Sequence, residues 1–412
     1  MNHVLATVSL ALVSLLFTNA HAATNELEAL TLEQAFELAE QRQPDLAEAR
    51  ALIEATDGRA KQAGAFPNPE AVARMESAPF RGRTAGEAEY LAGVAQPIPL
   101  GSRLSKAQEA ERLERERRVR ELDVRLREVR KRVHSAFATW LYQERAFQTQ
   151  TEIARSVENG VATAKARVEA GDALPEDVAR AEMELARARV ELKRAESLRE
   201  QALRALSAAI GDPAMSVKSL AGTLDATFEI PTLEALAASL PSHPALSAAD
   251  AATRVQNARV DLAKAERIPD VKVELLYRRL EAEKRDAFDV GVSIPLPLFD
   301  RNRGKLSEAR AEVAAAEARS RATQNALSVR LHEAHAQLAT ALANSRTLNA
   351  DVLPRADIVL KSAEARFAAG DIGLTELLPV RRDWAAMQLA YIESLHDVMQ
   401  AWAEVRALVG PN

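Results

Sequence analysis

Apolar residues recur at alternating three- and four-residue intervals over three long stretches of the chain, with polar and charged residues between them. This spacing is typical of helices that pack along a coiled-coil seam, and the many alanines in it allow neighbouring backbones to approach closely. Arg199 and Gln388 are the exceptions within these seams. The seam residues are Val119, Leu122, Leu126, Val129, Val133, Ala136 and Trp140; Val178, Ala181, Leu185, Ala188, Leu192, Ala195, Ala202, Leu206 and Ala209; and Trp384, Tyr391, Leu395, Val398, Trp402, Val405 and Val409.

The predicted helices are unusually long. Neither glycine nor proline occurs between Gly101 and Gly160, or between Gly304 and Pro354. A helix over residues 102–170 would be roughly 100 Å long. Because a rod of that length needs partners along its sides to be stable, the pattern predicts long helices packed side by side rather than a compact domain.

Five short phrases occur twice, in the same order and at nearly constant offset. They are TLEQA and TLEAL, QPDL and HPAL, VAQPIPLGSRLSK and VSIPLPLFDRNRGK, RVEAGD and RFAAGD, and ALSAAIG and VRALVG. This duplication predicts two structural repeats with the same order of elements: short helices, two strands and a long helical hairpin. We expect a signal peptide at residues 1–22, the first repeat at 23–212, an inter-repeat linker at 213–231 and the second repeat at 232–412.

The phrases RVEAGD and RFAAGD each interrupt a long helical stretch. Only a few residues separate the outgoing helix from the returning helix there, so each pair should form an antiparallel hairpin. Gly171 and Gly370 are placed to adopt the left-handed conformation that ends a helix. The two phrases are therefore predicted to be hairpin tips.

Four segments are predicted to be β-strands: residues 69–77, 87–97, 270–279 and 287–297. Their length, about ten residues, suits a tilted strand that crosses an outer membrane, and a small soluble sheet is the alternative. Four strands cannot close a barrel, and open edges are not tolerated in lipid, so several chains would have to pool them; a trimer would supply twelve. The third segment alternates, with Val271, Val273, Leu275 and Tyr277 on one face and Lys272, Glu274 and Arg278 on the other.

The N-terminus is typical of a secretory signal peptide. An apolar run over residues 4–17 precedes the small-residue sequence AHA at 20–22, so the mature chain would begin at residue 23. A short transmembrane anchor is the alternative, although the run is short for a bilayer. The 412 residues include no cysteine, which excludes disulfides, thiolate metal sites and a lipid-modified cysteine. Membrane attachment is therefore expected to come from the fold itself.

The charge distribution argues against nucleic acid as a partner. The formal net charge is −5, which gives no reason to expect nucleic acid as a partner. The arginine-rich run from residue 111 holds acid-to-arginine pairs at i,i+4 spacing, which neutralise it and suit a solvated helix face. These pairs are Glu114–Arg118, Glu116–Arg120, Glu121–Arg125, Asp123–Arg127 and Glu128–Arg132.

No enzymatic, cofactor or metal site is predicted. Phosphate-binding glycine loops, a nucleophile elbow and paired catalytic acids are absent from the sequence. His332 and His335 stand at i,i+3 on a helix, but the sequence HEAH lacks the i,i+4 spacing of the zinc-protease motif. His134 occupies the position of His332 in the first repeat, so a structural or solvent-facing role is favoured over metal binding.

The duplicated layout, the PIPL and IPLPLFDRNRG motifs after the strands and the RxxxGD tips together resemble the TolC family of outer-membrane efflux channels. The resemblance covers essentially the whole mature sequence. The second motif, with Leu353-Pro354 in the second long helix, is most similar to the heavy-metal, cobalt–zinc–cadmium branch.

The resemblance implies a mainly α-helical fold with a β-barrel part. Duplicated long antiparallel hairpins would form the α-barrel of a homotrimer, and four strands per chain would contribute to a 12-stranded β-barrel in outer-membrane lipid. It implies a Gram-negative outer-membrane protein that extends into the periplasm. It also implies docking to a periplasmic adaptor (membrane fusion protein) and an inner-membrane RND-type pump.

Two kinds of site follow from the resemblance. In the family, acidic residues six positions after the tip glycine line the periplasmic mouth, and Asp177 and Glu376 occupy these positions; the alternative is an ordinary acid in a helix first turn. Arg381 and Arg382 are the nearest basic residues that could hold the mouth shut. The tips are expected to dock the adaptor through Arg167, Gly171, Asp172, Arg366, Gly370 and Asp371.

The predicted function is a passive export duct, the outer-membrane component of a tripartite efflux system for divalent metal ions. A drug or protein export duct of the same family is one alternative. A periplasmic coiled-coil scaffold without a pore is the other, although an adaptor of that kind should contain a long stretch of β-rich domains.

Overall fold

The structure is a computed structural model that describes residues 29–77, 88–215, 217, 219–224 and 229–410. The predicted signal peptide, the first residue of the predicted second strand (Glu87) and part of the predicted linker lie outside these residues. The helices are α1 (Leu32–Arg42), α2 (Pro44–Ala63), α3 (Arg103–Glu169), α4 (Pro175–Ile210), α5 (Leu233–Ala237), α6 (Pro244–Ala265), α7 (Arg303–Thr347), α8 (Leu353–Ala369) and α9 (Leu374–Val409); the strands are β1 (Glu70–Glu76), β2 (Glu89–Ile98), β3 (Val271–Leu280) and β4 (Arg285–Ser293).

The same succession of elements occurs twice. A helix that begins at a proline (α2 or α6) precedes two strands, and a long outgoing helix and a returning helix follow them. Proline suits the first helical position because its fixed φ matches a helix and no N–H is needed there. The short helices α1 and α5 precede the two units, and each follows a threonine (Thr31 or Thr232) whose hydroxyl caps the first turn.

The first hairpin pairs α3, a helix of 67 residues, with α4 in antiparallel orientation. Two ion pairs join the helices, Lys165–Glu182 at 2.8 Å and Arg189–Glu158 at 3.0 Å. From the first pair to the second, the residue number falls on α3 and rises on α4, as antiparallel packing requires. The predicted seams pack between helices as expected. Their buried members include Val129, Val133, Trp140, Ala181, Ala188, Ala195, Ala202, Leu206, Leu395, Val398 and Val405.

Arg199, the exception in the α4 seam, stacks on an aromatic ring instead of packing as an apolar residue. Its guanidinium lies 4.4 Å from the ring centroid of Phe147 on α3 and 3.5 Å from a carboxylate oxygen of Glu144. The long side chain therefore keeps the seam closed while its charge stays paired.

The second outgoing helix is not continuous. A π-helical segment, Leu348–Val352, separates α7 from α8, and Pro354 follows at the start of α8. Proline lacks an N–H and clashes with the carbonyl four residues earlier, so a locally wider helix accommodates it. The predicted uninterrupted helix before Pro354 is therefore regular α-helix only as far as Thr347.

The strands form a single antiparallel sheet in the order β1-β2-β3-β4, so β1 and β4 are its edges. Three strands match the prediction within a few residues, but the fourth begins at Arg285 and ends at Ser293, four residues before the predicted end at 297. Pro295 and Pro297 have no N–H to donate to a ladder, which stops the strand before them.

Only one of the five predicted ion pairs within α3 is formed in the described chain, between Glu114 and Arg118 at 3.2 Å. Arg125 and Arg132 instead reach acids of the neighbouring helix α2, at 2.9 Å and 2.5 Å. The i,i+4 rule applies to an isolated helix, and packing against α2 supplies closer carboxylates. Arg125 and Arg132 therefore make interhelical contacts, whereas Glu116, Arg120 and Glu128 are exposed, as a solvated face predicts.

Two apolar clusters form the core near the middle of the long helices. The first lies where α1, α3 and α4 meet Val217 and Leu220, after the first repeat. The second joins α5, α7 and α9. Glu404 of α9 connects the repeats, because it binds Lys131 of α3 and Arg330 of α7, the latter at 2.7 Å. Burial raises the pKa of Glu404, but these two cations outweigh burial and hold the pKa below its usual range.

Candidate functional site

Both hairpin tips are closed by the same helix-ending motif. Gly171 and Gly370 have φ values of +79° and +82°, as predicted. At the first tip, the N–H groups of Asp172 and Gly171 donate to the carbonyls of Arg167 and Val168 at 2.8 and 3.0 Å. The second tip repeats these bonds at Asp371 and Gly370, with 2.9 and 3.1 Å. This paired bonding satisfies the last carbonyls of each helix and requires a residue that tolerates positive φ.

A side chain from the first tip reaches the second tip. The guanidinium of Arg167 lies over the ring of Phe367, with Cζ 4.9 Å from the centroid, and Nη1 donates to the Phe367 carbonyl at 3.3 Å. The corresponding residue of the second tip, Arg366, is exposed. Of the two predicted docking arginines, one therefore joins the tips and the other faces outward.

Apolar packing reinforces this connection. Leu374, the first residue of α9, is buried against Val161 and Ala164 of α3 and Ala181 of α4. Because Leu374 comes from the second hairpin and these partners from the first, the two tips form one unit.

The predicted mouth acids lie in the first turns of the returning helices. Asp177 is half-buried, and its carboxylate accepts a hydrogen bond from the backbone N–H of Leu174 at 3.3 Å, so it caps α4. Glu376 is exposed in the first turn of α9. Both acids thus stand in a helix first turn, as the alternative has it, and Asp177 in addition caps its helix. A role at the mouth stays a prediction for both.

Arg381 and Arg382 contact acids other than the predicted mouth acids Asp177 and Glu376. Arg381 binds Glu364 of α8 at 2.9 Å, and Arg382 lies 3.6 Å from Glu184 of α4. Both carboxylates lie on neighbouring helices, beside the arginines. This proximity could not be inferred from how far the arginines stand from Glu376 in the sequence. Sequence reasoning missed Glu184 and Glu364, although their positions along the hairpins could have been matched by counting from the tips.

The sheet has one apolar face and one charged face. On the charged face, Arg74 pairs with Glu274 at 3.2 Å and Arg278 pairs with Asp289 at 2.5 Å. The strand register places the apolar residues together on the opposite face, where Val290 is 74% exposed. The apolar residues of that face are Ala71, Ala73 and Met75 of β1, Tyr90, Ala92 and Val94 of β2, Val271, Val273, Leu275 and Tyr277 of β3, and Phe288, Val290 and Val292 of β4. The ion pair between Arg279 and Asp286, at 2.8 Å, lies on the same face at its β3–β4 turn end.

Histidines at corresponding positions of the two repeats have opposite environments. His134 is buried beside Phe36, and burial, with the nearby charge of Arg406, lowers its pKa to about 4. His332 is exposed and contacts the carbonyl of Ser328 at 2.8 Å. No cluster of three or more metal-ligating side chains occurs among the described residues.

No helix in the described part of the chain contains an apolar stretch long enough to cross a bilayer.

The duplicated hairpins and the amphipathic sheet define the class: the chain belongs to the outer membrane efflux protein family, which it matches over residues 35–212 and 235–411. Within the family it is similar to the cobalt-zinc-cadmium resistance protein CzcC of Cupriavidus metallidurans. The two are 30% identical over 381 residues, which cover 92% of this chain and 90% of CzcC. The resemblance to the heavy-metal branch is thereby confirmed.

Solved structures share the fold. A membrane protein from Pseudomonas aeruginosa superimposes with a TM-score of 0.78 at 21% identity, over 92% of this chain and 90% of its own. The outer membrane protein VceC from Vibrio cholerae gives a TM-score of 0.70 at 20% identity, over 92% of this chain and 96% of its own. The long hairpins and the four-stranded sheet are therefore the architecture of this class.

Proposed function

We propose that the protein is the outer-membrane channel of a tripartite efflux system, a passive duct that exports divalent metal cations. Three copies would join their sheets into a 12-stranded barrel and their hairpins into a periplasmic α-barrel. A periplasmic adaptor would dock at the hairpin tips, and an inner-membrane RND-type pump would supply the energy.

The observation that carries the proposal is the division of the sheet into two faces. The face with Phe288 and Val290 is apolar and exposed, whereas the opposite face carries paired charges such as Arg278 and Asp289. A transmembrane β-barrel needs lipid on the apolar face and water on the charged face. The free edges at β1 and β4 favour closure by further copies, because an open edge in lipid leaves backbone groups unsatisfied.

The tips support docking by their rigidity and position. They are closed by backbone hydrogen bonds and joined by Arg167 and Leu374, so they present one fixed surface at the end of the hairpins. Arg366, Asp172 and Asp371 are exposed there. A preformed surface with exposed polar side chains favours association, since little ordering is needed on binding.

Metal cations are the favoured cargo. The argument rests on similarity over nearly the whole chain to a cobalt-zinc-cadmium resistance protein. It also rests on the acids Asp177 and Glu376 near the tips, because rings of carboxylates favour cations in a narrow pore. Drug or protein export is the competing proposal within the same class of duct.

Assembly and location are tested on the membrane fraction. The protein should be extracted from outer membranes only by detergent and should run at about three times its monomer mass. A monomer recovered from the periplasmic fraction would refute the duct and favour the scaffold.

Cargo is tested by resistance. Deletion should sensitise the cell to cobalt, zinc or cadmium, and the gene supplied in trans should restore growth, while tolerance of organic drugs stays unchanged. Sensitivity to drugs alone would contradict the metal assignment and leave the duct intact.

A further inference from the structure

The strand-to-helix junctions of the two repeats differ in length and exposure. After β2, Leu100 is followed by Gly101 and then by Ser102, whose left-handed backbone precedes α3. After β4, Leu298 is followed by three residues before Asn302, which has the same left-handed conformation before α7. Counted from these leucines, the second junction is two residues longer, and counted from the strand ends, Ile98 and Ser293, it is five residues longer.

The longer junction contains an aromatic residue, Phe299, whose ring is exposed. In the first junction, a Cβ at Gly101 would lie only 2.6 Å from the side chain of Ile268, so this loop is packed against the molecule. In the second, Phe299 is 99% exposed. An exposed aromatic side chain that stands next to further exposed apolar residues forms part of an apolar patch, and such patches mark interaction sites.

The exposed loop continues the apolar face of the sheet. Alternate residues of β4 face outward, and the alternation of apolar residues extends past the end of the strand. The loop over residues 294–299, which we call the junction loop, thus extends the surface assigned to lipid toward the helices. The alternating apolar residues are Phe288, Val290, Val292, Ile294, Leu296 and Leu298, all exposed.

Cations border the junction loop. A cavity of about 590 Å³ beside it is lined by the cations Arg267, Arg301 and Lys305 and by the acids Glu266 and Asp300. Arg303, the first residue of α7, is also exposed. Among the described residues, no ion pair involves Arg267, Arg301 or Arg303, while Lys305 lies 3.5 Å from Glu266. Unpaired arginines beside apolar side chains suit the boundary between acyl chains and phosphate headgroups.

We propose that the junction loop inserts into the periplasm-facing phospholipid leaflet of the outer membrane, with the bordering arginines on headgroup phosphates. The inference rests on the proposed function, which puts the apolar face of the sheet in lipid.

A second copy of the chain is the other possible occupant. In a closed barrel, β4 would meet β1 of the next chain, and residues 64–69 before β1 would lie near the junction loop. The sequence of that segment, GAFPNP, contains no acid, and the carboxylate of Glu70, which follows it, is already paired with Lys272 of its own chain at 2.8 Å. Phospholipid phosphates would neutralise these arginines, so lipid is the occupant that the charges favour.

The natural absence of cysteine allows the test by spin labelling. The full-length protein with Phe299→Cys is labelled and reconstituted into vesicles of equal parts phosphatidylethanolamine and phosphatidylglycerol. Collisions with oxygen, which partitions into lipid, should exceed collisions with a water-soluble nickel chelate. The ratio should be higher than at Leu100→Cys, the last apolar residue of the shorter junction.

Other outcomes at position 299 overturn the inference. Dominant nickel collisions would mean that the loop lies in water, and low collision rates with both reagents would mean burial against a second copy. A label at Val290→Cys separates this failure from failure of the proposed function. If Val290→Cys favours oxygen while Phe299→Cys does not, only the loop assignment fails; if both favour nickel, the sheet itself is not in lipid.

The role of the arginines is tested with the spin label at Phe299→Cys. Arg301→Gln with Arg303→Gln should move position 299 toward water and lower the oxygen-to-nickel ratio. The matched variant Arg285→Gln, at the opposite end of β4, should leave the ratio unchanged. An unchanged ratio in the double variant would show that the arginines do not hold the loop in the leaflet.

Discussion

The guanidinium of Arg167, at the tip of the first hairpin, lies over the ring of Phe367, at the tip of the second, with Cζ 4.9 Å from the ring centroid. Arg167 is the first residue of RVEAGD, and Phe367 is the second residue of RFAAGD. The contact therefore joins non-equivalent residues of the two repeated segments. Arg167 spans the gap between the hairpins, whereas Arg366 faces outward. The tips are thus held together by a residue that the sequence assigned to docking.

The first prediction concerns this contact. Replacing Arg167 with Ala removes a half-exposed cation–π interaction, worth about 0.5–1 kcal/mol, and one hydrogen bond to the second tip. We expect a wider spread of distances between spin labels at Asp172→Cys and Asp371→Cys, measured by pulsed electron paramagnetic resonance. Arg366→Ala is the control and should leave the distribution as in the parent.

Leu374→Ala should loosen the tips more than Arg167→Ala does. A buried leucine truncated to alanine costs about 2–5 kcal/mol, which exceeds a half-exposed cation–π contact. The spread of distances between the labels at Asp172→Cys and Asp371→Cys measures this effect as well. If Leu374→Ala has the smaller effect, apolar packing is not what joins the hairpins.

The second prediction concerns the tip glycines. Valine at Gly171 or Gly370 forces a β-branched residue into positive φ, at a cost of about 1–2 kcal/mol at each tip. We expect a normally inserted trimer without efflux, because the reshaped tips no longer fit the adaptor. Membrane content by gel electrophoresis and metal resistance are the readouts.

The control for the tips is Gly58→Val, because Gly58 lies within α2 and a Cβ there meets no atom within 4 Å. It should keep both trimer and efflux. Resistance that survives the combined change at both tips would show that the tips do not dock the adaptor.

The third prediction concerns the acids in the first turns of α4 and α9. Asp177→Asn with Glu376→Gln removes the negative charges from the proposed mouth. In planar bilayers, cation preference should fall and block by added divalent ions should weaken. Glu152→Gln with Glu200→Gln, exposed acids elsewhere on α3 and α4, should leave both properties unchanged.

If selectivity and divalent block persist in the Asp177 and Glu376 variant, these acids serve only as first-turn acids and the constriction lies elsewhere. Loss of helix capping at Asp177 would then appear only as a small decrease in thermal stability, because asparagine still accepts the Leu174 N–H.

The fourth prediction concerns pH and His134. Because burial lowers its pKa to about 4, the unfolded chain takes up a proton at higher pH than the folded chain. Stability should therefore fall as the pH drops from 6.5 to about 4, by up to about 3 kcal/mol from this residue. His134→Leu should reduce this pH dependence of the melting temperature, measured by circular dichroism.

His332→Leu is the matched control for His134, since His332 is exposed at the corresponding position of the second repeat. It should leave the pH dependence as in the parent. An equal change in both variants would mean that the acid sensitivity does not come from the buried histidine.

Sequence alone determined the features that depend on local chemistry and on periodicity. The seams predicted which faces of α3, α4 and α9 are buried, because a 3.5-residue repeat permits only one contact stripe. The glycines predicted the left-handed tips, since few residues other than glycine adopt positive φ without strain. The alternation in β3 predicted its two faces, because strand side chains point to opposite sides.

Only the tertiary structure decided which side chains meet across elements. Arg381 and Arg382 pair with Glu364 and Glu184, and His134 is buried while His332 is exposed. Equivalent residues of the two repeats diverge because each repeat packs against different neighbours. A charged side chain takes the nearest carboxylate in space, and that distance is set by helix packing that no local pattern encodes.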